Sequence, residues 1–306
     1  MQIDEIAWRS PDLGEARSVA TSAGTLDYFD RGDGPCLVFS HGWLTNANLW
    51  RKVVDRLATS HRCVTLDLPL GSHRTPMRPD ADLSPTSVAG LIAEVIETVG
   101  LRNVTLVGND SGGAYSQIAV ARHPQHIGGL VLTSCETPDD PWPPAPFDAL
   151  PGLALDPAAL RAVLLTLADP AVRMSPPAYG LLLTEPVEPR VFDTYALAAI
   201  ADDAILRDIS KVMSATTSAA VHGAADILLG RRDLPVLLVW PEQDTVFPVE
   251  HARRYARSLV HGRIETITDS LSLTPEDRPD ALVIAIARFT TDRGCDRIRD
   301  CGQVWT

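Results

Sequence analysis

Eight short runs of apolar and β-branched residues alternate with longer helical patterns, and this alternation limits the fold more than any other feature. In chain order the runs are RSVAT, TLDYFD, CLVFSH, RCVTLDL, VTLVGN, GGLVLTSC, PVLLVW and RIETIT. Strands separated by helices are typical of the α/β class, in which helices flank a mostly parallel sheet. Only turn residues, at 22–24 and 32–34, separate the first three runs. We therefore expect the first two or three strands to pair antiparallel.

The helical patterns between the later runs have identifiable starts. The clearest covers 85–99, where Ser84 can cap the free N–H groups and Pro85 occupies the first helical position, which tolerates proline. Further helices are predicted over 111–123, 248–259 and 277–291.

The interval from 137 to 215 interrupts the alternation of strands and helices. It opens with the proline-dense DDPWPPAPFDALPG and continues through helical patterns without a convincing strand. We predict a helical cap at 137–215, inserted into a core formed by 1–136 and 216–306. A cap over the carboxyl ends of the strands encloses a pocket where open α/β sheets bind ligands. Trp142 and Phe147 are expected to form the pocket wall or the core of the cap.

Composition favours a small molecule as the partner and argues against nucleic acid and membranes. The net charge is −12, and the basic residues form no cluster that could neutralise phosphates. No apolar run approaches the roughly 20 residues of a membrane-spanning helix, and the start MQIDEIAWRS lacks the features of a signal peptide. We expect a cytoplasmic protein. The polar segment 292–306 has little periodicity and is expected to be a loose or partner-facing tail.

The stretch VGNDSGGAYS offers two neighbouring oxygen nucleophiles, Asp110 and Ser111, between glycines. It joins a predicted strand to a predicted helix, and the residue at the tip of such a turn needs a positive φ to point into the pocket. The positions two before and two after the tip must be small, because the strand and helix backbones crowd there. With Asp110 at the tip these positions are Gly108 and Gly112. With Ser111 at the tip one of them is Asn109, whose side chain is too large, so Asp110 is the predicted nucleophile.

Several further motifs accompany this turn. They are FSHGW at 39–43, DLPLGSHR at 67–74, GNDSG at 108–112, ARHPQHIGGLVL at 121–132 and VWPEQDTVFPVEHARR at 239–254. With them the sequence resembles the α/β-hydrolase superfamily, in the branch with an aspartate nucleophile that includes haloalkane dehalogenases and epoxide hydrolases. The resemblance covers nearly the whole chain except the cap and the tail. It implies a pocket beneath the cap, backbone N–H groups of Trp43 and Ser111 that bind negative charge, and neither cofactor nor metal.

The same resemblance implies a second carboxylate. An aspartate nucleophile can displace halide or open an epoxide at a saturated carbon, which leaves an alkyl ester on the enzyme. In the family, a histidine held by a carboxylate activates the water that splits this ester. Asp244, just after PVLLVW, matches the position of that carboxylate, and Glu136, after GLVLTSC, is a second candidate.

The position of the family's histidine is occupied by a serine. Relatives carry a loop resembling D-S-x-H-F-x-P, whereas this chain reads DSLSLTPEDRP at 269–279 and places Ser272 there. A serine hydroxyl resists deprotonation at neutral pH and cannot replace imidazole as a general base. Hydrolysis of an alkyl ester on Asp110 is therefore expected to stall.

The eight histidines of the chain offer few substitutes. His41, in the His-Gly turn, is expected to hydrogen-bond its loop and is a candidate for contact with the substrate. His73 follows RCVTLDL and can reach the rim of the pocket. The others are expected to face away from the carboxyl ends of the strands or to lie at the surface: His61, His123, His126, His222, His251 and His261.

Other family features are altered as well. Ser111 stands where many haloalkane dehalogenases carry a tryptophan that helps to hold halide. Epoxide hydrolases use cap tyrosines to hydrogen-bond the epoxide oxygen, and Tyr179 and Tyr195 lie in the predicted cap. Three functions stay open: an epoxide or carbon–halogen hydrolase with an unconventional base, a non-hydrolytic isomerase, cyclase or lyase with Asp110 as acid and base, and a ligand-binding protein without activity.

Overall fold

The computed structural model describes residues 3–301, and the side chains of 5–293, around an eight-stranded sheet. Each predicted run forms one strand. The strands are β1 Glu15–Thr21, β2 Gly24–Arg31, β3 Cys36–Ser40, β4 Arg62–Leu66, β5 Val104–Asn109, β6 Ile127–Thr133, β7 Val236–Pro241 and β8 Gly262–Ile267. Their order across the sheet is β1-β2-β4-β3-β5-β6-β7-β8.

The sheet is parallel except at its β1 and β2 edge. β1 pairs antiparallel with β2, as predicted, and β2 pairs antiparallel with β4. The extension of this prediction to the third run is wrong, because β3 lies between β4 and β5 and is parallel to both. The chain returns from β3 to β4 through a helix, and a crossover of this kind restores the strand direction.

Helices cover the sheet and fill the long connection between β6 and β7. They are α1 Ile3–Ile6, α2 Arg51–Leu57, α3 Pro85–Thr98, α4 Ser111–Arg122, α5 Leu150–Leu153, α6 Pro157–Leu164, α7 Pro170–Arg173, α8 Pro189–Ala196, α9 Ala198–Ala201, α10 Asp203–Ser214, α11 Ser218–Leu229, α12 Val249–Ser258, α13 Thr274–Asp277 and α14 Pro279–Cys301. Three short 3-10 helices occur at Pro11–Leu13, Ala47–Trp50 and Leu165–Ala168. Among the residues described, none of the helices combines the length and apolar character needed to cross a membrane.

Two local expectations need correction. Ser84 does not cap α3 with its side chain, because its hydroxyl donates to Asp82 at 3.2 Å. The tail predicted from residue 292 continues α14 as far as Cys301, and 302–306 lie outside the described residues.

The segment 137–215 contains α5 to α10 and no strand. Its apolar side chains join those of the sheet and the flanking helices in one continuous buried cluster. The segment therefore shares the main core, and its division from the rest as a separate cap domain stays a prediction.

Candidate active site

Asp110 occupies the sharp turn between β5 and α4. Its backbone has φ 53° and ψ −140°, so the positive φ expected at the tip of the turn is present. A Cβ on Gly108 would lie 2.6 Å from Cα of Gly113, and one on Gly112 would collide with the carbonyl oxygens of Ser40 and of the next residue. Only glycine fits at positions 108 and 112, because a real Cβ does not approach other atoms so closely.

An apolar cavity of about 200 Å³ lies in front of Asp110. Asp110 is the only charged residue among the described residues that line it. Most of the wall comes from the helical segment between β6 and β7, and the rest comes from loops at the carboxyl edge of the sheet. Its larger side chains are Trp43, Leu44, Phe147, Leu150, Leu164, Leu167, Tyr179, Leu182, Met213 and Phe247.

The surroundings of Asp110 favour its neutral form. Burial raises the pKa of Asp110 to about 7, and the negative charge of Asp244 acts in the same direction. Hydrogen bonds from the backbone N–H groups of Ser111 and Trp43 oppose this shift. The two N–H groups predicted to bind negative charge are thus directed at the Asp110 carboxyl. Gly42 allows the approach, because a Cβ there would overlap that carboxyl.

Ser272 and Asp244 lie together next to this site, but neither lines the cavity. The Ser272 hydroxyl donates to Asp244 Oδ1 at 3.0 Å, and the same oxygen accepts the N–H groups of Val246 and Phe247 at 2.9 and 3.0 Å. Burial raises the pKa of Asp244, and these hydrogen bonds moderate the increase. Ser272 is fully buried and its carbonyl accepts from Asn109 Nδ2 at 2.8 Å. The serine therefore holds the second carboxylate without supplying a base.

Glu136, the alternative acid, lies at the end of β6 and is fully buried. Neither of its carboxyl oxygens has a hydrogen-bond partner from another described residue. Burial, and next the negative charge of Asp110, raise the pKa of Glu136 well above its usual value. The protonated form is favoured there, since an unpaired buried charge is costly.

His41 does not line the cavity, contrary to the expectation that it contacts substrate. Its Nδ1 lies 2.9 Å from the carbonyl of Gly42, and its Nε2 accepts the N–H of Leu68 at 3.0 Å. These two contacts fix a neutral ring, and burial lowers the pKa of His41 to about 4. The predicted hydrogen bonding within the loop is confirmed, and both ring nitrogens are occupied by it.

His73 is also absent from the cavity wall. Its Nε2 lies 3.2 Å from Oδ2 of Asp208 on α10, and it borders a separate small pocket. The expectation that it reaches the pocket rim is wrong, because the buried Asp208 carboxylate holds it in another direction. All eight histidines are among the residues whose side chains are described, and none of them lines the cavity.

The predicted aromatic contacts divide into two groups. Phe147 and Tyr179 line the cavity, and the Tyr179 hydroxyl donates to the carbonyl of Leu44 at 2.7 Å. Tyr195 does not line it, because its hydroxyl donates to Glu276 at 2.9 Å. The Glu276 carboxylate also pairs with the buried Arg51. Trp142 also lies behind the wall, stacked on Trp43 with ring centroids 6.4 Å apart.

Some contributors to the site were missed by sequence reasoning. Tyr115 on α4 accepts a hydrogen bond from Trp43 Nε1 at 3.3 Å and so positions a wall residue. Phe247 closes the cavity three residues after Asp244, within a motif already quoted. Met213 on α10 also lines the cavity. The helical pattern of α10 in the sequence does not show that this residue faces a pocket. Among the described residues, no group of three or more His, Cys, Asp or Glu side chains is arranged to hold a metal ion.

Comparison with known proteins identifies the family. The model of the alpha/beta hydrolase fold family matches residues 35–270. An uncharacterized protein of Mycobacterium tuberculosis is 26% identical over 268 residues, which cover 84% of this chain and 76% of that protein. A haloalkane dehalogenase of Mesorhizobium japonicum is 29% identical over 119 residues, 39% of this chain and 38% of that enzyme.

A solved structure has a similar fold over most of this chain. The haloalkane dehalogenase DbeA from Bradyrhizobium elkani superimposes with a TM-score of 0.74 at 20% identity, and the match covers 92% of this chain and 98% of that one. Together with the matched family model, the eight-stranded sheet and the turn at Asp110 lead to one conclusion. The chain belongs to the α/β-hydrolase-fold family.

Proposed function

We propose that this protein is an enzyme that acts on a small, largely apolar organic molecule through the carboxyl group of Asp110. The reaction is a proton transfer within an isomerisation, cyclisation or elimination. One observation carries the proposal: Asp110 is the only charged group on the described wall of an apolar cavity of about 200 Å³, and no histidine of the chain lines that wall.

The pKa of Asp110 allows its carboxyl group both to donate and to accept a proton. A group with a pKa of about 7 is present as acid and as base at neutral pH, which is the condition for efficient general acid–base catalysis. The N–H groups of Ser111 and Trp43 stabilise the ionised form and fix its orientation. The apolar walls limit the access of water, which would otherwise compete for the transferred proton.

A second candidate is attack by Asp110 on an epoxide or on a carbon–halogen bond. The positive φ at the turn and the two N–H groups support it, as does the similarity to a haloalkane dehalogenase. A carboxylate oxygen would bond to carbon as the carbon–halogen or carbon–oxygen bond breaks. Hydrolysis of the resulting ester would need a base, and Ser272 is hydrogen-bonded to Asp244 instead.

Isotope incorporation from the solvent separates these reactions, even when the natural substrate has not been identified. A set of small apolar ketones, alkenes, epoxides and alkyl halides is incubated with the protein in deuterated water and, separately, in water enriched in heavy oxygen. Proton transfer predicts deuterium in a product or in recovered substrate, no heavy oxygen, and loss of the deuterium signal in Asp110→Asn.

Other outcomes would contradict the proposal. Heavy oxygen in an alcohol or diol product, which does not exchange its oxygen with water, would indicate a hydrolase, and an alkyl adduct on Asp110 in the intact mass would indicate displacement that stops at the ester. Ligand binding without turnover, equal in the wild type and in Asp110→Asn, would indicate a ligand-binding protein.

A further inference from the structure

The wall of the cavity carries one sign of charge. Of its described lining residues only Asp110 is ionisable near neutral pH, and neither lysine, arginine nor histidine occurs among them. The remaining polar side chains are mainly hydroxyls, and that of Tyr179 already donates to a backbone carbonyl. When Asp110 is ionised, the N–H groups of Ser111 and Trp43 hydrogen-bond its carboxylate, but the described wall offers it no counter-ion.

The groups behind Asp110 strengthen this negative character. The charge of Asp244 raises the pKa of Asp110, and the charge of Asp110 raises that of Glu136. Glu136 is fully buried, and both of its carboxyl oxygens lack a partner from another described residue. The Asp110 carboxyl thus interacts with two further carboxyls behind the cavity wall, of which Glu136 is favoured in its protonated form. A cation beside Asp110 would offset the repulsion between its charge and that of Asp244, since like charges that share a site cannot all ionise.

The rest of the wall requires a ligand with an apolar body. Trp43, Phe147, Tyr179 and Phe247 present aromatic rings to the cavity. Aromatic faces attract a desolvated cation as well as burying hydrocarbon. The wall therefore suits a molecule that combines an apolar body with one positive charge.

We propose that the cavity takes a small apolar amine, whose ammonium group pairs with the Asp110 carboxylate while its hydrocarbon body contacts the aromatic wall. This inference rests on the proposed function and names its substrate class. A bound ammonium group favours the ionised form of Asp110 and lowers its pKa, so the bound substrate holds the carboxyl in its basic form. A neutral compound of the same shape lacks this effect, and an anion is repelled.

The test is a calorimetric titration with cyclohexylamine, which is cationic at neutral pH, and with cyclohexanol, its neutral counterpart of nearly equal shape. The wild type is expected to bind the amine at least about tenfold more tightly, because a desolvated ion pair is worth more than a neutral contact. In Asp110→Asn this preference should disappear. Equal binding of the two compounds to the wild type, tighter binding of the alcohol, or no binding of the amine at millimolar concentration would overturn the inference.

The pH dependence gives a second readout that needs no variant. Affinity for the amine should rise as the pH rises through about 7, where the Asp110 carboxyl ionises, and the affinity for cyclohexanol should stay constant or fall. An amine affinity that does not change with pH between mildly acidic and mildly basic conditions would contradict the ion pair. The matched control is Asp148→Asn, which removes an acidic side chain next to a wall residue but outside the wall itself and should keep the preference for the amine.

The two proposals can fail separately. A preference for the amine without deuterium transfer on any compound, including small apolar amines added to the isotope test, would leave this inference standing and refute the proton-transfer function. Deuterium transfer on neutral compounds by a protein without a preference for amines would support the proton-transfer function and refute the amine as its substrate.

Discussion

Two loops at the carboxyl edge of the sheet differ in how far they match the features implied by the resemblance to hydrolases with an aspartate nucleophile. The turn at Asp110 has the positive φ, the flanking glycines and the backbone N–H groups directed at its side chain. The loop after β8 places Ser272 against Asp244 by a hydrogen bond of 3.0 Å, without an imidazole. The first loop depends on steric constraints that few residues satisfy, whereas the second needs only a side chain that fits beside a carboxylate.

If the proposed role of Asp110 holds, the positioning of a reactive carboxyl and the activation of water are separable in this fold. Substitutions in and around the two loops test this separation, beginning with the largest expected effect.

The glycines of the turn should be indispensable. Gly112→Ala is expected to lower the free energy of unfolding by about 3 kcal/mol or more, because its Cβ would collide with backbone carbonyls that cannot move independently. Urea denaturation measures this loss. The control is Gly223→Ala in α11, where an added Cβ meets nothing within 4 Å and alanine should stabilise the helix slightly. Similar stabilities for the two variants would show that the turn tolerates a side chain.

Removal of the Asp110 charge should abolish turnover and increase stability. The folded pKa of Asp110, about 7, is above the unfolded value, so its ionisation weakens the fold as pH rises from about 4 to about 7. Asp110→Asn lacks this penalty and should exceed the wild type by about 1–3 kcal/mol at pH 8, with little difference at pH 4. Denaturation at the two pH values measures it. A variant that is less stable at pH 8 would contradict the raised pKa.

Tyr179 and Tyr195, the two tyrosines of the segment 137–215, should respond differently to loss of their hydroxyls. Tyr195→Phe removes a buried hydrogen bond to Glu276 and is expected to lower stability by about 1.5–3 kcal/mol. Tyr179→Phe removes a bond to a neutral carbonyl and should lower it by about 1 kcal/mol. Turnover should survive in Tyr179→Phe, because its hydroxyl is engaged with the backbone. Loss of turnover at full stability would instead make Tyr179 the group that activates the substrate.

Ser272→Ala should have the smallest effect on turnover. It removes one buried hydrogen bond to the Asp244 carboxyl, so stability should fall by about 1.5–3 kcal/mol, and the rate of deuterium transfer should change by less than about threefold. A rate loss of a hundredfold or more would give Ser272 a direct part in the chemistry. Ser272→His sharpens the comparison further, since new hydrolysis of an epoxide or alkyl halide by that variant would show that only the base had been absent.

The eight strands and the turn at Asp110 could be predicted because their signals are local. Apolar periodicity marks a strand, and the small residues beside Asp110 mark a turn that nothing larger fits. The positions of His73, Tyr195 and Trp142 could not be predicted, because each is decided by a partner distant in sequence. His73 is held by Asp208, which lies 135 positions away along the chain.

The walls of the cavity were predictable only in part, for the same reason. Phe147 and Tyr179 lie in the predicted cap and do reach the cavity. Apolar positions of α6 and α10 contribute as well, yet a helical pattern does not show which of its apolar residues face a cavity and which face the core. The pairing of the third strand was predicted wrongly because β4, which follows it in the chain, lies between β2 and β3 in the sheet.

The most direct test of the central claim is the titration of the Asp110 carboxyl itself. Carbon-13 NMR of protein labelled at aspartate carboxyls, with Asp110→Asn to assign the signal, gives its pKa in the folded state. We predict a midpoint of about 7, which reflects burial in an apolar cavity whose described wall carries no cation. A midpoint near the ordinary value of about 3.9 would show an ionised, well-solvated carboxylate and would contradict its role as acid and base.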